Sequence, residues 1–141
     1  MTLRVGSLGT FVFEKGLYTY TGSALGRTQN LQTRLRRHLL RSKPKRWHID
    51  YLLEGGRVQH VVVVENNSHL ECIVNKAIRS KAKGVVAVRG FGASDCRMGC
   101  VTHLNYHPFH DVRSLSKKVL NVYSTIAKNP RCYSFNSTSG L

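Results

Sequence analysis

Four groups of side chains could carry chemistry. Arg34 lies in a segment where Leu31, Leu35 and Leu39 recur every four residues, the buried stripe of a helix. His38 and Arg41 follow one and two turns further along the same edge. A guanidinium there offers a fork of donors that suits a phosphodiester bidentately. It also suits an arginine lying over apolar surface or pairing with a carboxylate, although no acid falls between Glu14 and Asp50. Tyr18 and Tyr20 share one face of a strand, where aromatic rings commonly pack into a core. Glu71 closes Ser68-His69-Leu70-Glu71, a capping box that needs no other role. With seven acids in the chain, it is also one of few candidates for a hard-cation ligand. Cys96, Cys100 and His103, joined by Cys72, could hold zinc. Their spacing is not a paired CxxC, however, and only three of them lie close together in sequence. Free, partly buried thiols are the expectation, and zinc is not.

The charge points to a polyanion. The 141 residues hold 22 Lys and Arg against 7 Asp and Glu, a net charge of +15. Nine of the basic residues fall between Lys15 and Arg46 with no acid among them. Solvated helix faces usually mix signs. An unmixed block including Arg27, Arg36, Arg37, Arg41, Lys43, Lys45 and Arg46 favours phosphate contact that weakens with salt. Nucleic acid is the expected partner, ahead of an anionic membrane. No apolar run approaches the 18 residues of a membrane span, and the start lacks the apolar stretch of a signal peptide. Four cysteines are too few for a secreted disulfide scaffold, so a reducing cytoplasm is the expected setting.

The elements that must position these groups follow from periodicity. Hydrophobic content of 41% and a length near one domain predict a globular α/β (α+β) fold. Gly9–Phe13 and Leu17–Thr21 read as a β-hairpin around a Gly-containing turn. Asn30 caps a helix to about Arg41, which Pro44 stops. Trp47–Leu53 reads as a short helical segment. Val58–Val64 is nearly continuously apolar, a strand expected to be covered on both faces. Ser68–Ser80 and Asp111–Lys128 are helices, Gly84–Val88 is a strand, and Gly90–Cys96 is a glycine-punctuated loop. The division expected is a domain over 1–110, an additional helix over 111–129 and a mobile tail over 130–141.

Several ordered blocks carry a resemblance. They are Leu3-Arg4-Val5-Gly6-Ser7-Leu8-Gly9, Tyr18-Thr19-Tyr20-Thr21-Gly22-Ser23-Ala24, Asn30-Leu31-Gln32-Thr33-Arg34 with His38, Trp47 to Leu53, Leu70-Glu71-Cys72 and Gly90 to Cys96. Together, over roughly residues 3–109, the chain resembles the GIY-YIG nuclease superfamily, and within it the Uri-type branch. The resemblance implies a mainly antiparallel sheet flanked by helices. It makes Arg34 the residue that binds and polarises the scissile phosphate. It makes Tyr20, with Tyr18 beside it, the phenol that orients attacking water, and Glu71 the ligand of a catalytic Mg²⁺ or Mn²⁺. His38 and His48 become groups for proton transfer or support. One departure stands out. The family's first strand precedes the block that here begins at Leu3, so that strand is expected to be absent. Its place would be covered by the C-terminal helix or by a second copy of the chain in a homodimer.

Two readings follow. One is a metal-dependent endonuclease hydrolysing DNA, branched or damaged DNA included. The other is a non-catalytic nucleic-acid-binding module on the same fold.

Overall fold

In the computed structural model, residues 1–23, 31–40, 43–65 and 69–135 are described. The chain begins with a strand. Strand β1 (Thr2–Val5) passes through one 3-10 turn at Gly6–Leu8 and returns antiparallel as β2 (Gly9–Val12), with Val5 opposite Gly9. Gly6 and Gly9 at the turn both take positive φ, +50° and +133°, which side-chain-bearing residues avoid. The expected hairpin between Gly9–Phe13 and Leu17–Thr21 therefore does not form, and the segment upstream of Gly9 is not without a strand. The sequence signal for β1 was weak because Thr2–Val5 is short and mostly open to solvent, with only Val5 buried.

Strand β3 (Leu17–Tyr20) instead pairs antiparallel with β6 (Leu104–His107), Tyr20 lying opposite Leu104. Strand β5 shrinks to Val85–Val86 on the far side of β6, giving the order β3-β6-β5. The cover for β3 is thus β6, a segment whose Leu-Asn-Tyr-His sequence gives little strand signal. Two of its polar members, Asn105 and His107, are buried: Asn105 donates to Asn75 at 2.8 Å, and Asn75 donates to the Thr102 carbonyl at 2.6 Å. That polar chain ties the sheet to helix α3 (Glu71–Lys81).

The helices α1 (Leu31–Leu39), α2 (His48–Leu52) and α4 (Val112–Ile126) lie near their expected places. Asp111 caps α4 by accepting from the Ser114 N–H at 2.7 Å. Asn30, expected to cap α1, lies outside the described residues. Helix α3 opens at Glu71 with Leu70 as its cap, so Glu71 is the first helical residue rather than the third. Ser68, the other half of the expected capping box, lies outside the described residues. Strand β4 (His60–Val63) is half-exposed rather than covered on both faces. It pairs with β7 (Arg131–Ser134), a strand inside the segment expected as a tail. The helix beyond residue 110 is an integral part of the packing, lying against α3, β4 and β7.

Two apolar clusters result. One gathers Val5, Phe13, Ile49, Leu52, Val88, Phe91 and Leu104 beneath β1–β3 and α2. The other joins Val74 and Ile78 of α3 to Val122 of α4. Among the described residues, no helix is long and apolar enough to cross a membrane.

Candidate functional site

Strand alternation turns Tyr18 and Tyr20 toward the first cluster, but they end in different places. Tyr18 packs on Phe13 and Tyr106, and its hydroxyl donates to the Glu14 carbonyl at 2.6 Å. Burial first, then Tyr106 and Glu14, raises its pKa to about 12. It supports the sheet. Tyr20 packs edge-on against Phe91 and His38, and its ring and the Arg34 guanidinium flank Gly22 side by side. Burial raises the Tyr20 pKa; Arg34 opposes this, and the charges of Glu71 and Asp50 add to it. Three of the expected residues, Tyr20, Arg34 and Glu71, thus share one electrostatic neighbourhood.

Arg34 is held from several sides. Its Nη1 donates to the Ser23 carbonyl, and its guanidinium lies 4.9 Å from the centre of the Trp47 ring. Gly22 stands directly beside it: a Cβ there would touch Arg34 Nη2 at 3.5 Å, an ordinary contact distance. The same indole takes Arg37 at 4.3 Å. Arg37 is not a free phosphate ligand. It forks onto Asp50 with two bonds of 2.8 Å and also donates to the Pro44 carbonyl. The Asp50 side chain is fully buried and accepts further bonds from the N–H groups of Arg46 and Trp47. Burial would raise its pKa, but Arg37 and the two N–H groups outweigh burial and bring it to about 2. Asp50 was not singled out from the sequence, although it lies within the Trp47–Leu53 block.

The other basic residues divide. Lys43 donates to the carbonyls of Arg37 and His38 and so closes α1. Lys45 pairs with Glu54. Arg36 and Arg46 are exposed. Arg27 and Arg41 lie outside the described residues. His38 is wedged between Tyr20 and Trp47, and burial followed by the Arg34 charge lowers its pKa to about 4, so it is neutral at physiological pH. His48 accepts the Gly92 N–H on Nδ1 at 2.8 Å, which assigns the proton of the neutral ring to Nε2. Burial lowers its pKa, with Asp95 opposing.

Beside this site lies a second constellation. Cys72, buried at the start of α3, meets Cys96, Cys100 and buried His103, with all four ligand atoms within 4.8 Å of one another. Cys72 Sγ is 3.4 Å from Cys96 Sγ and 3.7 Å from His103 Nε2. Tetrahedral zinc with Zn–S bonds of about 2.3 Å sets its sulfurs about 3.8 Å apart, so the donor set fits that ion. The Cys96 thiol is brought down to about 6, first by the Cys100 N–H and then by that of Met98, against burial. A thiol so lowered is a ready metal ligand. Burial and the neighbouring thiols raise Cys72. This cluster corrects the expected cofactor. The metal chemistry the chain displays is a soft Cys₃His set suited to zinc, not a hard Mg²⁺ or Mn²⁺ site on Glu71. The spacing argument failed because the fourth ligand arrives from α3, 24 residues before Cys96.

No curated protein and no solved structure is significantly similar to the chain. A family model matches residues 1–127, a span that takes in both the Tyr20–Arg34 site and the Cys₃His cluster. The chain belongs to that family, described as domain of unknown function DUF123.

Proposed function

We propose that this domain is a phosphodiester-cleaving endonuclease of the GIY-YIG type acting on DNA. The observation that carries the reading is the Tyr20–Arg34 pair: a phenol and a guanidinium side by side at Gly22, with the Glu71 charge acting on the phenol. Arg34 would hold the non-bridging oxygens of the phosphate and stabilise the charge that builds there. The raised pKa keeps Tyr20 a neutral phenol, able to orient water but not to take its proton. Glu71 is the nearby carboxylate suited to accept that proton. Water attacks phosphorus and gives its proton to Glu71, the P–O3′ bond breaks, and the departing oxygen takes a proton from solvent water while the neutral His48 ring donates a hydrogen bond to it from Nε2. Exposed Arg36 and Arg46 extend the positive surface along the strand of nucleic acid. Zinc in the Cys₃His cluster would have four protein ligands and no open position, so it supplies a crosslink rather than an activated water.

A closed metal site beside a basic surface also favours a second reading, a nucleic-acid-binding domain without chemistry. Single-turnover nicking of supercoiled DNA, with and without added divalent cations, separates the two. The first reading expects nicking that Arg34→Ala removes, while binding persists. No nicking under any condition, with salt-sensitive binding, establishes the second.

A further inference from the structure

The Cys₃His cluster and the Tyr20 site share backbone. The N–H of His103 donates to the Phe91 carbonyl at 2.8 Å, and the His103 carbonyl accepts the Thr21 N–H at 3.1 Å. One cluster residue therefore bridges the Gly90–Cys96 loop and the end of β3 that carries Tyr20. Gly92 lies in the gap between them. A Cβ on Gly92 would lie 2.8 Å from Tyr20 Cε2 and 3.2 Å from His103 Cβ, and its φ of +69° belongs to glycine. The same residue gives its N–H to His48 Nδ1. The loop itself is a run of turns ending on a cluster thiol: Gly90 N–H to Val101 O, Ala93 N–H to Gly90 O, and Cys96 N–H to Ala93 O. Anything that draws Cys96 and His103 together therefore sets where Gly92 stands.

We propose that Gly92 and His103 are positioning residues through which metal loading of the Cys₃His cluster fixes Tyr20 and His48. Loaded, the cluster holds the loop so that Gly92 orients both side chains. Stripped, it releases the loop and leaves them without a common reference. This rests on reading Tyr20 and His48 as members of the site proposed above. Its test, however, measures the loop and not DNA cleavage.

The full chain is prepared under reducing conditions in three states: zinc-loaded, cobalt-loaded and metal-stripped. Cobalt should give the absorption bands of a tetrahedral thiolate site, and their absence would overturn the cluster reading and the proposal with it. Amide hydrogen exchange is followed at Thr21, Gly92 and His103, with Leu115 and Phe135 as distant controls bonded to Asp111 and Gln59. Stripping should speed the first three by about tenfold or more and leave the controls unchanged. The imidazole ¹⁵N shifts of His48 should show the Nε2–H tautomer when loaded and an average of both tautomers when stripped. His107, bonded to Thr19, serves as the ring that does not respond. Unchanged exchange at Thr21 and Gly92 would overturn the proposal. So would equal acceleration at every amide, because the metal would then support the whole fold with no privileged path. Gly92→Ala should keep the cobalt bands yet show the stripped pattern at Thr21 and His48. A loaded pattern in that variant would refute the role of Gly92. Should Gly92→Ala fail to fold, the loaded-against-stripped comparison of the natural chain still decides. Loss of nicking with the exchange response intact would count against the nuclease reading alone.

Discussion

Asp50→Asn is the perturbation whose size is best defined. The carboxylate is fully buried and accepts four hydrogen bonds, two at 2.8 Å from Arg37, one at 2.8 Å from Arg46 and one at 2.9 Å from Trp47. Its pKa falls from 3.8 to about 2. That lowering alone corresponds to about 2 kcal/mol of stability at neutral pH. The substitution also leaves the Arg37 guanidinium, mostly buried over Trp47, with a neutral partner. Breaking such a pair from one side typically costs about 3–5 kcal/mol, so a loss of about 3 kcal/mol is expected. Because the folded pKa is the lower one, the stabilisation is complete above pH 4 and disappears as the pH falls through 2. The gap in urea midpoint between the natural protein and Asp50→Asn should therefore be constant from pH 7 to 5 and shrink below 4. Comparing the two proteins cancels the acid-titrating groups remote from Asp50; His38, whose Nδ1 lies 3.9 Å from Asp50 Oδ1, is followed separately by its ring shifts. A loss below about 1 kcal/mol, or a gap that does not narrow in acid, would refute the clamp.

Three further outcomes are expected. Arg34→Ala should lower single-turnover nicking by about 10²–10³ while changing DNA affinity little, since charge develops at one phosphate but binding is shared among many contacts; an unchanged rate would place the chemistry elsewhere. Log affinity for duplex DNA should fall linearly with log salt, with a slope reporting several released counterions; a flat dependence would argue against a polyanion partner. The His38 ring should titrate near pH 4 in NMR, and because its folded pKa lies below the unfolded 6.5, its contribution to stability is lost as pH falls from 6.5 through 4; a midpoint near 6.5 would mean the ring is solvated.

Local periodicity and the Asp111 cap were legible in the sequence, and pairing across distance was not. Helix α4 announces itself by an apolar repeat behind Asp111, and α2 by the Trp47–Leu53 run. Strand β6 does not, because its inward residues include Asn105 and His107, which are held by hydrogen bonds from the Asn105 amide to α3 and between His107 and β3 rather than by being apolar. The first hairpin was misjudged for a related reason. Gly16 marks a plausible turn, yet a tighter reversal at Gly6–Gly9 lets β2 pair backwards with β1. At the site, Arg34 and Tyr20 were named from blocks of sequence. Arg37 was grouped with the phosphate ligands because its partner lies 13 residues away, past a run of cations. Cys72 was weighed only as an adjunct, since nothing local says that the start of α3 reaches the Gly90–Cys96 loop.

The apolar core is modest, and this bears on how the site keeps its shape. The cluster beneath Tyr20 has seven buried apolar residues and the one between α3 and α4 has three. Apolar packing is non-directional and tolerates small shifts. A phosphate-binding arginine and an orienting phenol do not, since catalysis is lost over displacements of about 1 Å. Directional bonds can supply what the core does not. On one side, Arg37 and Asp50 lock α1 to α2, and with them Trp47, on which Arg34 lies. On the other, the Cys₃His cluster joins α3 to the loop that buttresses Tyr20. Glu71 and Cys72 are neighbours at the head of α3, so the bond that anchors the thiol also fixes the carboxylate. The two tethers have different chemical weaknesses: acid breaks the first, and chelation or oxidation breaks the second. A site strung between them should lose its geometry by either route.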